Sequence, residues 1–257
     1  MSTDKLFLET TIQIERIFGR KKEEIVEFLS DKEALSSNYV LMEFKRTMLK
    51  DCISLYSFLK EEKGLEGTLM RLSELRVYEH RTAVRISKIL SRLSDSNTLE
   101  YEKVLTKLED LIESELLEEF FYRVNLIDET KCGLANEEVH KNETYSLNLS
   151  CKREEKKCEI EAFVLKNEGS FRKSLNELQT NEEFEGVCNV IKEISKDCKK
   201  ARGRKNCWKL GDCIISLEAP KGYKIFTSDH HYKQICNSLE KEILFLQDLK
   251  HATAHHF

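Results

Sequence analysis

A short apolar run, Lys5 to Leu8, is followed by Ile12, Ile14 and Ile17 and then by Gly19. That pattern predicts a buried strand, then a helix opened by Thr10-Thr11 and stopped at the glycine. A second helix is expected from about Lys21 to Leu29 on Ile25, Val26, Phe28 and Leu29. A brief strand at Ala34-Leu35 and a cap from Ser36-Ser37-Asn38 come next. Leu41, Phe44, Met48, Cys52, Leu55 and Leu59 then recur at gaps of three and four, which defines one face of a long helix. Gly64 and Gly67 are read as its end. Residues 68–121 predict two further helices parted by the polar Ser94-Asp95-Ser96-Asn97, the second carried by Tyr101, Val104, Leu105, Leu108, Leu111 and Ile112. Between Val124 and about Phe163 the periodicity weakens, and it resumes from Phe171 through Val187, Val190, Ile191 and Ile194.

The closing region alternates again. A helix is expected from Asp212 to Glu218, a turn at Ala219-Pro220-Lys221-Gly222 and a strand from Tyr223 to Thr227. A helix from about His230 to Leu239 and a last strand near Ile243 complete the chain. Such alternation at both ends predicts an α/β fold, a parallel sheet flanked by helices, with a large mostly helical insertion. Residues 1–63 and 185–257 are expected to form one discontinuous domain, and 64–184 the insertion with a Cys/His-containing segment.

With 40% hydrophobic and 34% charged residues, the chain has the composition of a folded globular protein rather than a disordered one. Net charge is −4, so no global basic field advertises nucleic acid, and any such binding rests on a local patch. Nine scattered cysteines do not make the dense framework of a small secreted domain, which points to the cytoplasm. No signal peptide is expected at Met1-Ser2-Thr3-Asp4-Lys5, and no run reaches the ~18 apolar residues a membrane span needs.

Four acids stand out. Glu9 closes the first strand, Glu43 lies on the long helix, Asp212 follows Gly211 at a helix start, and Asp229 follows the strand Ile225-Phe226-Thr227. Acids after parallel strands face the crevice where open α/β sheets bind ligands. Two carboxylates ~4 Å apart repel by ~4 kcal/mol at an effective dielectric of ~20. Several together need a cation, and hard oxygens suit Mg²⁺ or Mn²⁺. Each acid also has an ordinary reading. Asp212 and Asp229 suit N-caps worth ~1 kcal/mol. Glu43 has Arg46 and Lys50 on its own helix, and Glu9 has the following helix N-terminus.

In their order, Leu8-Glu9-Thr10, Ser36-Ser37-Asn38 through Glu43, Gly211-Asp212-Cys213-Ile214-Ile215 and Thr227-Ser228-Asp229 resemble the motifs of the PIN-domain nuclease family. The resemblance covers only the two ends of the chain, and Glu9 stands where the family usually has Asp. It implies a PIN-like sheet and a divalent-metal-dependent endonuclease. Glu9, Glu43, Asp212 and Asp229 would be its catalytic metal ligands, with Thr10, Asn38 and Ser228 hydrogen-bonding to the carboxylates. RNA is favoured over DNA because the family is rich in ribonucleases, including toxins and defence enzymes. An antitoxin or other protein partner, and a homodimer, fit the same picture. The alternatives are a structure-selective DNA nuclease and a catalytically inactive PIN-like scaffold that binds a protein.

Lys199, Lys200, Arg202 and Arg204 form the one basic run, which leads into Trp208. They are candidate phosphate contacts, with Trp208 a candidate base platform; the ordinary reading is a solvated helix end with Trp208 in the core. Cys132, His140, Cys151 and Cys158 offer ligand types for a structural Zn²⁺, although buried free cysteines are common. His230 and His231 read as solvent-facing helix-start residues within reach of a substrate phosphate.

Overall fold

Lys5–Leu8 (β1) is the middle strand of a five-stranded, all-parallel sheet in the computed structural model, which describes residues 4–93, 100–151, 158–202 and 204–249. Its companions are Glu33–Ser37 (β2), Asn125–Ile127 (β3), Lys224–Thr227 (β4) and Ile243–Phe245 (β5), in the order β3-β2-β1-β4-β5. Phe7 pairs with Leu35 on one side and with Ile225 on the other. The central strands are covered on both faces, which is why Leu6, Phe7, Leu8, Ile225 and Phe226 form unbroken apolar runs rather than alternating ones.

The strand order sets the site. From β1 the chain moves one way, to β2 and β3, and later adds β4 and β5 on the opposite side of β1. The β1/β4 boundary is therefore the place where strand order reverses, and ligands of open parallel sheets bind there, beyond the carboxyl ends of the strands.

Two helices, Thr10–Phe18 (α1) and Lys22–Leu29 (α2), cross from β1 to β2. Ile12 and Ile25 turn into a core with Leu6, Leu8, Ala34, Phe226, Leu246 and Leu249, and Phe28 sets its ring edge-on to Phe226 at 5.6 Å. Truncating Leu6 to Ala there would cost about 2–5 kcal/mol. Gly19 ends α1 by donating to the Glu15 carbonyl at 2.7 Å, and any Cβ at that position would stand 2.2 Å from the same oxygen.

Ser37, not Asn38, caps the next helix, Asn38–Phe44 (α3), since its Oγ accepts from Val40 N at 3.2 Å. Tyr39, Val40, Leu41 and Met42 are all buried along α3. Near the end of the chain, Gly211–Glu218 (α4) buries Cys213, Ile214 and Ile215, and His231–Ser238 (α5) buries Tyr232, Ile235 and Cys236.

The chain divides into two compact units: Met1–Glu43 with Arg123–Asn136 and Ser150–Phe257, and Phe44–Tyr122 with Glu137–Leu149. The expected domains, 1–63 with 185–257 against 64–184, run differently. The stripe after Glu43 packs in the second unit, while β3 and the helices Ile160–Lys166 and Glu168–Leu178 belong with the sheet.

The second unit is mostly helical. A π-helical turn at Lys45–Leu49 leads into Lys50–Glu62, and the helices Leu65–Tyr78, His80–Leu93 and Tyr101–Asp110 follow. Gly67 lies inside a helix rather than ending one, and a break at Glu79 makes three helices where two were expected. The polar Ser94–Asn97 separator lies outside the described residues. Cys52, Leu55, Leu59, Ile86, Leu108 and Phe120 form buried positions of this unit. Among the described residues no helix is long and apolar enough to cross a membrane.

Candidate functional site

Glu9 leaves β1 in extended geometry and turns its carboxylate back over the start of α1. It accepts from Thr11 N at 2.7 Å, from Ile12 N at 3.3 Å and from the Thr11 hydroxyl, which satisfies donors that a helix start otherwise leaves open. The side chain is almost fully enclosed. Burial pushes its acid up to about 7 against those hydrogen bonds, and the charge of Asp212 adds to the rise.

Thr10 Oγ1 donates to Glu43 Oε2 at 2.9 Å, joining the first turn of α1 to the last of α3. Gly211 opens α4 against the same carboxylate; a Cβ there would lie 2.7 Å from Glu43 Oε1. Asp212 follows at once. Burial first and the charge of Asp229 second raise its acid to about 6, while His231 and the Tyr232 hydroxyl pull the other way. Tyr232, fully enclosed on α5, is in electrostatic reach of Asp212, Glu9 and Glu43 together, and burial with those charges holds its phenol well above the usual value. Three carboxylates from three separated segments thus surround one buried hydroxyl beyond the strand ends, and Asp229 acts on one of them, Asp212.

Asp229 caps the turn after β4: its Oδ1 accepts from His231 N at 2.9 Å, and its own N–H donates to Thr227 Oγ1 at 2.9 Å. His231 also sets Nδ1 3.3 Å from Asp229 Oδ1 and Nε2 2.7 Å from Glu183 Oε1. The Glu183 hydrogen bond, and then the Asp229 charge, raise the imidazole above its ordinary value despite partial desolvation. An open cleft of about 570 Å³ lies here, lined by Thr11, Glu183, Phe184, Ser228, Asp229, His230, His231 and Gln234.

The expected supporting residues fare differently. Thr10 does bond a carboxylate. Ser228 reaches Glu9 only through Thr11, whose hydroxyl lies 2.8 Å from Ser228 Oγ. Asn38 makes no hydrogen bond with the four acids among the described residues. In the basic run, Lys199 and Lys200 sit exposed on a short 3₁₀ turn, whereas Arg202 Nε is held 2.8 Å from Glu161. The Arg204 side chain lies outside the described residues, and Lys199, Lys200 and Arg202 do not line the cleft. His140 is exposed on a two-residue strand of the second unit, while Cys132, Cys151 and Cys158 all belong to the first.

Sequence reasoning missed Thr11, Glu183, Tyr232 and a further buried acid, Glu218. At the end of α4, Glu218 takes hydrogen bonds from Ser37 and Thr130, and burial pushes its acid to about 7. Thr11 was detectable as a hydroxyl two residues past Glu9. Glu183 and Tyr232 carry no local signal, because their roles come from tertiary pairing.

As oxygen donors, Glu43, Asp212 and Asp229 suit a hard divalent cation, and for Asp212 burial and the charge of Asp229 already disfavour an uncompensated carboxylate. Glu9 suits it less, because its oxygens are spent on α1. Among the described residues no three His, Cys, Asp or Glu side chains stand as a ready-made metal-binding group. Comparison with family models, characterised proteins and solved structures finds no match.

Proposed function

We propose that the protein is a divalent-metal-dependent endonuclease of the PIN type, cutting RNA in preference to DNA. The observation that supports this most is the gathering of Glu9, Glu43 and Asp212 around Tyr232, with Asp229 beside Asp212, at the strand-order reversal and next to an open cleft. A bound Mg²⁺ or Mn²⁺ would supply an activated water and charge stabilisation at the leaving oxygen. Glu43, Asp212 and Asp229 would hold it. Glu9 fixes the first turn of α1 and so aims Thr10 at Glu43 and Thr11 at Ser228. Tyr232 donates to Asp212 and keeps its carboxylate oriented. His231, steadied between Glu183 and Asp229, presents a donor to a substrate phosphate in the cleft. RNA is preferred on the sequence resemblance alone.

The test is cleavage of single-stranded RNA and DNA with Mn²⁺, comparing the wild type with Asp212→Asn and Asp229→Asn. Each variant should lose at least ~100-fold in rate; wild-type rates in both would retire the assignment. A second reading, an inactive scaffold that binds a protein, is favoured by one observation: the Glu9 carboxylate is consumed in capping α1. Wild-type protein that cuts neither substrate with Mg²⁺ or Mn²⁺ would support it.

A further inference from the structure

Four cysteines from four separate stretches converge away from the acids. Cys132 follows β3, Cys151 and Cys158 flank a six-residue interval, and Cys207 lies on the helix Arg204–Lys209. Cys207 is in electrostatic reach of Cys132, Cys151 and Cys158; Cys132 of Cys151 and Cys158; and Cys158 of Cys151, so every pair interacts. The backbone supports the grouping. Glu159 N donates to Thr130 O at 2.8 Å and Lys131 Nζ meets Glu159 Oε1 at 2.8 Å, which lays Cys158 beside the Cys132 segment. Tyr39 Oη donates to Cys207 O at 2.8 Å, with the Cys207 thiol 3.6 Å from the same oxygen. All four are free thiols.

We propose that Cys132, Cys151, Cys158 and Cys207 form a closed tetrathiolate site for one structural zinc ion. Four soft sulfur donors with no other ligand type among them are the chemistry of a closed tetrahedral Zn²⁺ site, with Zn–S near ~2.3 Å. Among the described residues the thiols do not stand as a preformed metal-binding group. Each cysteine has a single side-chain torsion before its sulfur, so rotation about χ1 is the simplest motion that would turn the thiols onto a common ion. Cys132 stands directly before the 3₁₀ turn Gly133–Asn136, and Cys158 lies outside helices and strands just ahead of the helix Ile160–Lys166. Those segments gain most from a cross-link. Cys207 replaces His140 in the ligand set expected from sequence. The site would also brace the acids: Cys207 precedes Gly211 by one helical turn, and its carbonyl holds Tyr39, one turn before Glu43.

The test is the metal content of full-length protein purified from zinc-supplemented cells, independent of any nuclease assay. We expect one zinc per chain, released by a mercurial that consumes four thiols per ion. Cobalt(II) replacement should give the visible bands of a tetrahedral tetrathiolate. Cys207→Ser and Cys132→Ser should drop zinc to a small fraction, and Cys198→Ser, outside the quartet, should leave it whole. Should the Cys207 and Cys132 variants fail to fold, the wild-type mercurial titration and the more accessible Cys151→Ser decide. Metal-free protein with four titratable thiols, a Cys151–Cys158 disulfide, or iron with the absorption of an iron–sulfur cluster would each overturn the proposal.

Discussion

Thr11 and Ser228, 217 positions apart in the chain, bring their hydroxyl oxygens within 2.8 Å of each other. Thr11 Oγ1 also takes the Ser228 N–H at 3.2 Å and donates to Glu9. One hydroxyl thereby ties the loop after β1 to the loop after β4 across the strand-order reversal. Thr11→Val keeps the shape and removes all three bonds, leaving enclosed groups unpaired at about 1–3 kcal/mol. Thermal unfolding should show a loss of several degrees, and Thr11→Ser should recover most of it. A valine variant as stable as wild type would show that the tie contributes nothing.

Gly211 is where α4 meets the Glu43 carboxylate. Gly211→Ala would place a methyl 2.7 Å from Oε1 and push the carboxylate aside. Alanine is also the better helix former, by up to about 1 kcal/mol, so the melting temperature should change by only a few degrees. Mn²⁺ affinity measured by calorimetry should fall at least tenfold, about 1.4 kcal/mol. Unchanged affinity would remove Glu43 from the ligand set.

The elements that were legible in sequence are those whose pattern is local. The apolar run at Lys5–Leu8 and the stop at Gly19 announced β1 and α1, and Gly-Asp after Leu210 announced α4. β3 was not legible because it is three residues long, on a sheet edge, and only partly covered. The break at Glu79 was hidden for another reason: neither glycine nor proline marks it, and only Thr68 and Leu72 of the preceding helix are buried. Glu9, Asp212 and Asp229 could be nominated because each follows a strand or opens a helix, and Glu43 through its place in the family's motif order. Glu183 pairing with His231 and Glu218 taking Thr130 both depend on distant partners that no window of sequence contains.

Three enclosed acids give the fold a pH dependence of definite sign. Glu9 and Glu218 are raised to about 7 and Asp212 to about 6, chiefly by burial. Folded protein therefore binds more protons than unfolded protein from about pH 4 to 7, and stability falls as pH rises through that window. The surface acids that are lowered, Asp31, Glu33, Glu113 and Glu240, act oppositely but have finished doing so by about pH 4.5. Metal-free protein should melt several degrees lower at pH 8 than at pH 5. Asp212→Asn removes a charge that burial and Asp229 both oppose, so it should raise the pH 8 melting temperature while abolishing Mn²⁺-dependent cleavage. A lower melting temperature at pH 8 would mean that the Asp212 carboxylate serves the fold rather than a cation.

His231 provides the last separation of roles. The Glu183 hydrogen bond and the Asp229 charge favour its protonated form, so the attachment it makes to the cleft wall is complete below its unfolded value, near pH 6.5, and is lost as pH rises through the higher folded value. The ring is nearly half exposed, so solvent screening keeps its effect on stability small. His231→Gln retains a donor near Asp229 but has no charge to lose. It should leave the melting temperature within a few degrees and weaken substrate binding modestly. The chief effect belongs in the pH profile: the rise in KM that wild type shows as His231 deprotonates should be absent. Equal KM profiles in the two proteins would mean that the imidazole holds Glu183 and Asp229 in place without touching substrate.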